Sequence, residues 1–202
     1  PIVTPVHGWD DSLFLRGKAP MTKQEVRALA ISKLRPEADH IVYDIGAGTG
    51  SCSVELAFQV PYGKVYGFEI NEEAATLAEA NKERFNACDL EIIRGNALEK
   101  IVNMPCPDRV FIGGTKGNLK EILDILYKKN AYCRIVITAI TLETAGAVTA
   151  YYKEHTDYEL ETTQLFASEG RRVGPYTLME GHNPVYIMTA YCKEAEYEGQ
   201  SQ

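Results

Sequence analysis

Long apolar runs, paired cysteines, internal repeats and an excess of positive charge are all missing from this chain. No apolar stretch approaches the roughly 20 residues that cross a bilayer, and Asp10, Asp11, Arg16 and Lys18 stand where a signal peptide would carry its apolar core. These absences point to the cytoplasm and away from a membrane. The five cysteines, Cys52, Cys88, Cys106, Cys133 and Cys192, are odd in number and include no CxxC pair. They offer neither a disulfide framework nor a zinc site, so reduced thiols and no metal are expected. A formal charge of −7 lacks the basic excess that generic nucleic-acid binding needs, so no nucleic acid is expected as a partner. It leaves a small anionic substrate open.

What is present fits one globular domain over residues 1–202, with 45% hydrophobic content to fill its core. Thr22 and Glu25 have the spacing of a capping box, ahead of Val26, Leu29, Ala30 and Leu34 on one helical face, and Arg35-Pro36 ends that helix. Strand and helix patterns then alternate. "HIVYDIG" runs into a glycine turn and a helix from Ser53 to Val60; "KVYGFEI" precedes a helix capped by Asn71. "LEIIRG", "DRVFIGG" and "YCRIVITAI" read as further strands, with the helix "NLKEILDILYKK" before the last. That pace predicts βαβ units and a parallel sheet. After Thr141 another helix leads to two strands, "YELETTQLF" and "PVYIMTAYC", read as an antiparallel hairpin with a Gly- and Arg-rich loop between them.

The glycine turn after the first strand carries the first chemical signal. Gly46, Gly48 and Gly50 read G-x-G-x-G with Ala47 and Thr49 between them, whereas a dinucleotide fingerprint needs its last glycine where Ser51 stands. Asp44 adds a carboxylate that would repel a pyrophosphate but hold an ammonium or an ordered water. Glu69, ending the second strand, is placed to accept hydrogen bonds from both hydroxyls of a ribose. The combination favours S-adenosylmethionine over NAD. The plainer alternative is a tight strand-to-helix turn, with Glu69 capping the turn that follows.

Four stretches carry a resemblance that spans most of the chain: "DSLFLRGKAPMTKQEVRAL" (11–29), "DIGAGTGSCSVELA" (44–57), "DRVFIGG" (108–114) and "NPVYIMTA" (183–190). On them the chain resembles the class I S-adenosylmethionine-dependent methyltransferases and, within these, the decarboxylating precorrin methyltransferases of cobalamin synthesis. That family acts at C15 of precorrin-6B or its cobalt form and corresponds to the C-terminal half of the fused precorrin-6Y C5,15-methyltransferase. The resemblance implies a Rossmann-like α/β fold. Its sheet would have seven mostly parallel strands, a C-terminal antiparallel hairpin and helices on both faces. Residues 1–35 would cover the cofactor site. The cofactor contacts carried over are Thr22, Gly46, Ala47, Gly48, Thr49, Gly50, Glu69, Asn96 and Ala97, with Gly113 leaving room beside the transferred methyl. A homo-oligomer, a tetramer, is implied, as is a separate C5-methylating partner.

The implied chemistry asks for position more than for acid or base. Methyl transfer needs an electron-rich carbon in line at about 3 Å, which binding alone can supply. Loss of the ring C acetate carboxyl needs the conjugated ring to accept an electron pair in a dry pocket. No catalytic pair is singled out, although His182, Tyr176 and Glu180 in the late loop could carry protons. A substrate with many carboxylates predicts a basic rim, assigned to Arg16, Lys18, Lys116, Arg171 and Arg172. Solvated surface charge is the other reading of these five. Three further classes stay open: a methyltransferase of tRNA or protein, which would call for a basic face; a nicotinamide oxidoreductase, opposed by Ser51; and a non-catalytic cofactor-binding module. The standalone length favours the cobalt-containing route.

Overall fold

The structure, a computed structural model, describes residues 7–194. Five strands, β1 (Ile41–Ile45), β2 (Lys64–Glu69), β3 (Leu90–Arg94), β4 (Arg109–Ile112) and β5 (Arg134–Ala139), run parallel. Six helices lie between and around them: α1 (Gln24–Leu34), α2 (Ser51–Gln59), α3 (Glu72–Phe85), α4 (Ala97–Lys100), α5 (Leu119–Lys129) and α6 (Leu142–Glu154). Four later strands, β6 (Tyr158–Leu165), β7 (Ser168–Val173), β8 (Tyr176–Gly181) and β9 (Val185–Cys192), complete the fold. The main sheet has seven strands in the order β3-β2-β1-β4-β5-β9-β6, with β9 antiparallel to both β5 and β6.

The parallel strands are apolar on both faces because helices cover both. Val42, Phe111 and Val136 pack with Ala30, Leu34 and Val54 on the side of α1 and α2. The alternate residues Tyr43, Ile112 and Ile137 pack with Ile122, Leu126 and Tyr152 of α5 and α6. Strand order reverses between β2 and β4 on either side of β1, which opens a crevice at the carboxyl ends of these strands.

Three expectations need correction. Thr22 does not cap the first helix: Lys23 occupies the N-cap without a side-chain bond, and the Thr22 carbonyl instead accepts the Arg27 guanidinium at 2.6 Å. The second helix begins at Ser51, two residues early, because Gly50 at φ 77° turns the chain directly into it. The Gly- and Arg-rich segment is not a loop but a second hairpin, β7-β8, forming its own two-stranded sheet. Gly174 at φ 59° and Pro175 make the two-residue turn between Val173 and Tyr176, the arrangement of a primed hairpin turn with glycine first. Among the described residues no helix is long and apolar enough to cross a membrane.

Candidate active site

The turn after β1 is built by contact with three other elements. Gly46, Gly48 and Gly50 all have positive φ, at 80°, 56° and 77°. A Cβ on Gly46 would stand 2.6 Å from the Gly114 carbonyl oxygen, one on Gly48 2.9 Å from the Pro20 oxygen, and one on Gly50 2.9 Å from Ala78 Cβ. These glycines therefore admit neighbouring parts of the protein, in addition to the ligand expected beside them. Glu69, only 8% exposed, holds the turn from the side: Oε2 accepts the Gly48 N–H and Oε1 the Asn71 N–H, each at 2.8 Å.

Asp44 lies behind this turn with no solvent exposure. One carboxylate oxygen accepts the Ser53 hydroxyl, while Oδ1 has no hydrogen-bond partner. Burial pushes its carboxyl up to about 7; the Ser53 hydrogen bond opposes this and the nearby Glu69 charge adds to it.

A buried ion pair fastens the N-terminal segment over the site. Arg27, wholly buried, meets the equally buried Glu55 of α2 and also reaches Asp11 at 3.1 Å and the Trp9 carbonyl. Glu55 accepts the N–H groups of Gly8 and Trp9. The Trp9 ring packs against Phe58 and Phe85, with centroids at 5.1 and 5.2 Å. Asn81 of α3 ties the same segment to the glycine turn, exchanging two bonds with Leu15 and donating to the Thr49 carbonyl at 2.8 Å. None of Arg27, Glu55 and Asn81 was singled out from sequence. Arg27 interrupts an otherwise apolar face beside Val26 and Ala30, and that was the available signal.

Two adjoining cavities share Gly46, Glu69 and Lys116. The smaller, about 60 Å³, is walled by Phe68, Ile70, Gly95, Asn96 and Ala97. Asn96 caps α4 through its side-chain oxygen, which accepts the Leu98 N–H at 3.1 Å. The larger, about 620 Å³, runs from the N-terminal segment and glycine turn to the ends of β5, β6 and β9. Thr22, Ala47, Gly48, Gly113 and Lys18 join its lining, with Lys23, Asn71, Glu73, Thr138 and Asn183, which the sequence reading passed over. Thr49 and Gly50 line neither cavity. Thr49 is buried with its hydroxyl unpartnered, and Gly50 is the N-cap of α2. Arg16, Arg171 and Arg172 also line neither. The two late arginines sit on the exposed β7-β8 hairpin, which pairs with itself, and Arg171 is bound to Glu180 at 2.7 Å.

A doubly wound sheet closed by an antiparallel pair, with the glycine turn after β1 and an acid ending β2, is the architecture of a class I methyltransferase. Residues 13–191 match the model of the precorrin methyltransferase domain, and the chain belongs to that family. It is 42% identical over 196 residues to a Pyrobaculum calidifontis protein named "Probable cobalt-precorrin-6B C(15)-methyltransferase (decarboxylating)", covering 95% of this chain and 98% of that relative. Two solved structures are similar across nearly their whole length. The precorrin-6Y C5,15-methyltransferase structure from Geobacter metallireducens is 36% identical with a TM-score of 0.87, covering 96% of this chain and all of the other. The precorrin-8W decarboxylase from Methanobacterium thermoautotrophicum is 31% identical with a TM-score of 0.84, covering 90% and 98%.

Proposed function

We propose that this protein transfers a methyl group from S-adenosylmethionine to C15 of a precorrin-6B macrocycle, in the cobalt form, and removes the ring C acetate carboxyl as carbon dioxide. The observation that carries the reading is family membership joined to a cavity of about 620 Å³ that begins at the glycine turn and extends past β5.

The residues fit the cofactor. Each Glu69 oxygen keeps acceptor capacity after its one backbone bond, which suits the two hydroxyls of a ribose. The Asn96 amide nitrogen at the smaller cavity suits an adenine edge, and Gly113 adds no side chain beside the methyl position. Thr22, with Gly46 to Gly48, forms the facing wall. S-adenosylmethionine supplies an electrophilic methyl on a sulfonium. Lys18 and Lys116 give the macrocycle's carboxylates two cations inside the cavity, whereas Arg16, Arg171 and Arg172 can serve only from outside it.

Of the domain expected over residues 1–202, residues 7–194 are read as one domain, with 7–35 covering the cofactor; the rest of the expected 1–35 and 1–202 spans lies outside the described residues. The hairpin exposes Val173, Tyr176, Leu178 and Met179, apolar surface that supports a homo-oligomer, which we read as a tetramer. A separate C5-methylating enzyme would complete the pair of methylations, in the cytoplasm. Mass spectrometry after incubation with S-adenosylmethionine and cobalt-precorrin-6B tests the reading. The expected product is lighter by about 30 Da, a methyl gained and carbon dioxide lost at one positioned substrate. Absence of any methylated product overturns the assignment.

A further inference from the structure

The geometry points to His182, paired with Glu169, as the proton donor that completes the decarboxylation; this rests on the functional reading above. Loss of carbon dioxide from the ring C acetate breaks the bond between the methylene and carboxylate carbons. The electron pair passes into the macrocycle, which methylation has left electron-poor. The methylene carbon must then gain one proton to become a methyl group.

His182 stands where such a proton is needed. It lies between β8 and β9 and lines the large cavity with Leu165 and Asn183. β9, which follows His182, is the third strand from β1 across β4 and β5, so at about 4.8 Å per strand its start lies roughly 14 Å along the sheet from β1. Ring C borders C15, so the acetate methylene lies only a few ångströms beyond the carbon that receives the methyl group, in the cavity that His182 lines.

Its surroundings orient the ring. The backbone N–H of His182 donates to the Ala167 carbonyl at 2.9 Å, which fixes the base of the hairpin. Nε2 lies 3.2 Å from Oε1 of Glu169, is shielded from solvent and makes no aligned hydrogen bond. The carboxylate thus faces one ring nitrogen as a charge partner. The side chain remains 31% exposed, at the cavity it lines.

The other candidates are placed differently. Tyr176 is 71% exposed on the hairpin, Glu180 is committed to Arg171, and neither lines the cavity. The remaining ionisable lining groups are Lys18, Lys23 and Lys116, suited to hold carboxylates, and Glu69 and Glu73 near the start of α3. Imidazole is the side-chain type that exchanges a proton near neutral pH. In the proposed step the imidazolium N–H gives its proton to the methylene carbon. The ring regains one from solvent or from the methylated carbon, which releases a proton as conjugation is restored.

The test compares wild type, His182→Gln and Glu169→Gln by NMR of products formed from cobalt-precorrin-6B and S-adenosylmethionine. The ratio of ring C methyl to C15 methyl is expected to fall more than tenfold in His182→Gln. A smaller fall is expected in Glu169→Gln. Glu169 is half exposed, at 53%, so its substitution leaves packing intact. An unchanged ratio in both variants overturns the proposal. A wild type that forms neither methyl group overturns the functional reading instead.

Discussion

The guanidinium of Arg27 and the carboxylate of Glu55 meet with neither side chain exposed to solvent, and every other partner of the pair belongs to residues 8–22 or the helix start. A charge left buried alone is costly, so Arg27→Met should destabilise the fold by about 3–5 kcal/mol. Urea denaturation measures this. A loss under about 1 kcal/mol would show that the pair does not hold the segment down.

Gly46→Ala places a methyl group 2.6 Å from a backbone oxygen at φ 80°, and backbone on both sides cannot move aside. Gly117, at φ 94° with nothing within 4 Å, provides the control. Gly117→Ala should cost about 1–2 kcal/mol, the penalty of left-handed backbone alone. Gly46→Ala should cost clearly more. Equal thermal shifts for the two variants would discount the close approach of β1 and β4.

Glu69→Ala removes both the brace on Gly48 and two charged acceptors. Binding of S-adenosylmethionine should weaken by roughly 1.5–3 kcal/mol, more than tenfold. Calorimetry decides, and unchanged affinity would remove Glu69 from the cofactor site.

Asp44 makes stability depend on pH in an unusual direction. Its folded value of about 7 lies above its ordinary 3.8, so between these the native state keeps a proton that the unfolded chain has released. This group therefore lowers stability as pH rises through that window, by roughly 4.5 kcal/mol at about 1.4 per unit, and contributes no slope outside it. Asp44→Asn cannot titrate. Its stability relative to wild type should rise by a few kcal/mol from pH 4 to pH 8, as read from denaturation at each pH. A flat difference would mean that Asp44 is ionised throughout.

Lys116 borders both cavities, whereas Arg171 and Arg172 border neither. Lys116→Ala should weaken binding of the carboxylate-rich macrocycle by about tenfold, or 1.4 kcal/mol, and Arg171→Ala with Arg172→Ala by much less. Fluorescence titration ranks them. The opposite ranking would return the hairpin arginines to the substrate.

The parallel half of the fold was legible because each of β1 to β5 is a short apolar run ended by turn residues, and Asn71 does cap α3 as its position suggested. The place of Glu69 at the end of β2 was legible, and it borders both cavities. The β7-β8 hairpin was hidden because its residues are exposed on both faces, so they show no alternation of apolar and polar side chains. Arg16, Arg171 and Arg172 were grouped with the lysines by charge and nearby glycines, and neither property fixes distance. The glycine pattern points to a ligand, and the further contacts that require its glycines come from Pro20, Ala78 and Gly114, far apart in sequence and silent until the chain folds.

Asn81 joins Leu15 across 66 residues and Thr49 across 32, and Glu55 reaches Gly8 across 47. Each of these bonds closes a long loop, whose entropy is lost before the contact rewards it. The larger cavity therefore depends on contacts between parts of the chain far apart in sequence: the N-terminal segment docks on α2 and α3, and has no surface to meet until both are in place. A nascent chain that has emerged only as far as residue 60 already carries every glycine of the turn, yet it lacks Glu69, Ala78 and Asn81, which give that turn its shape.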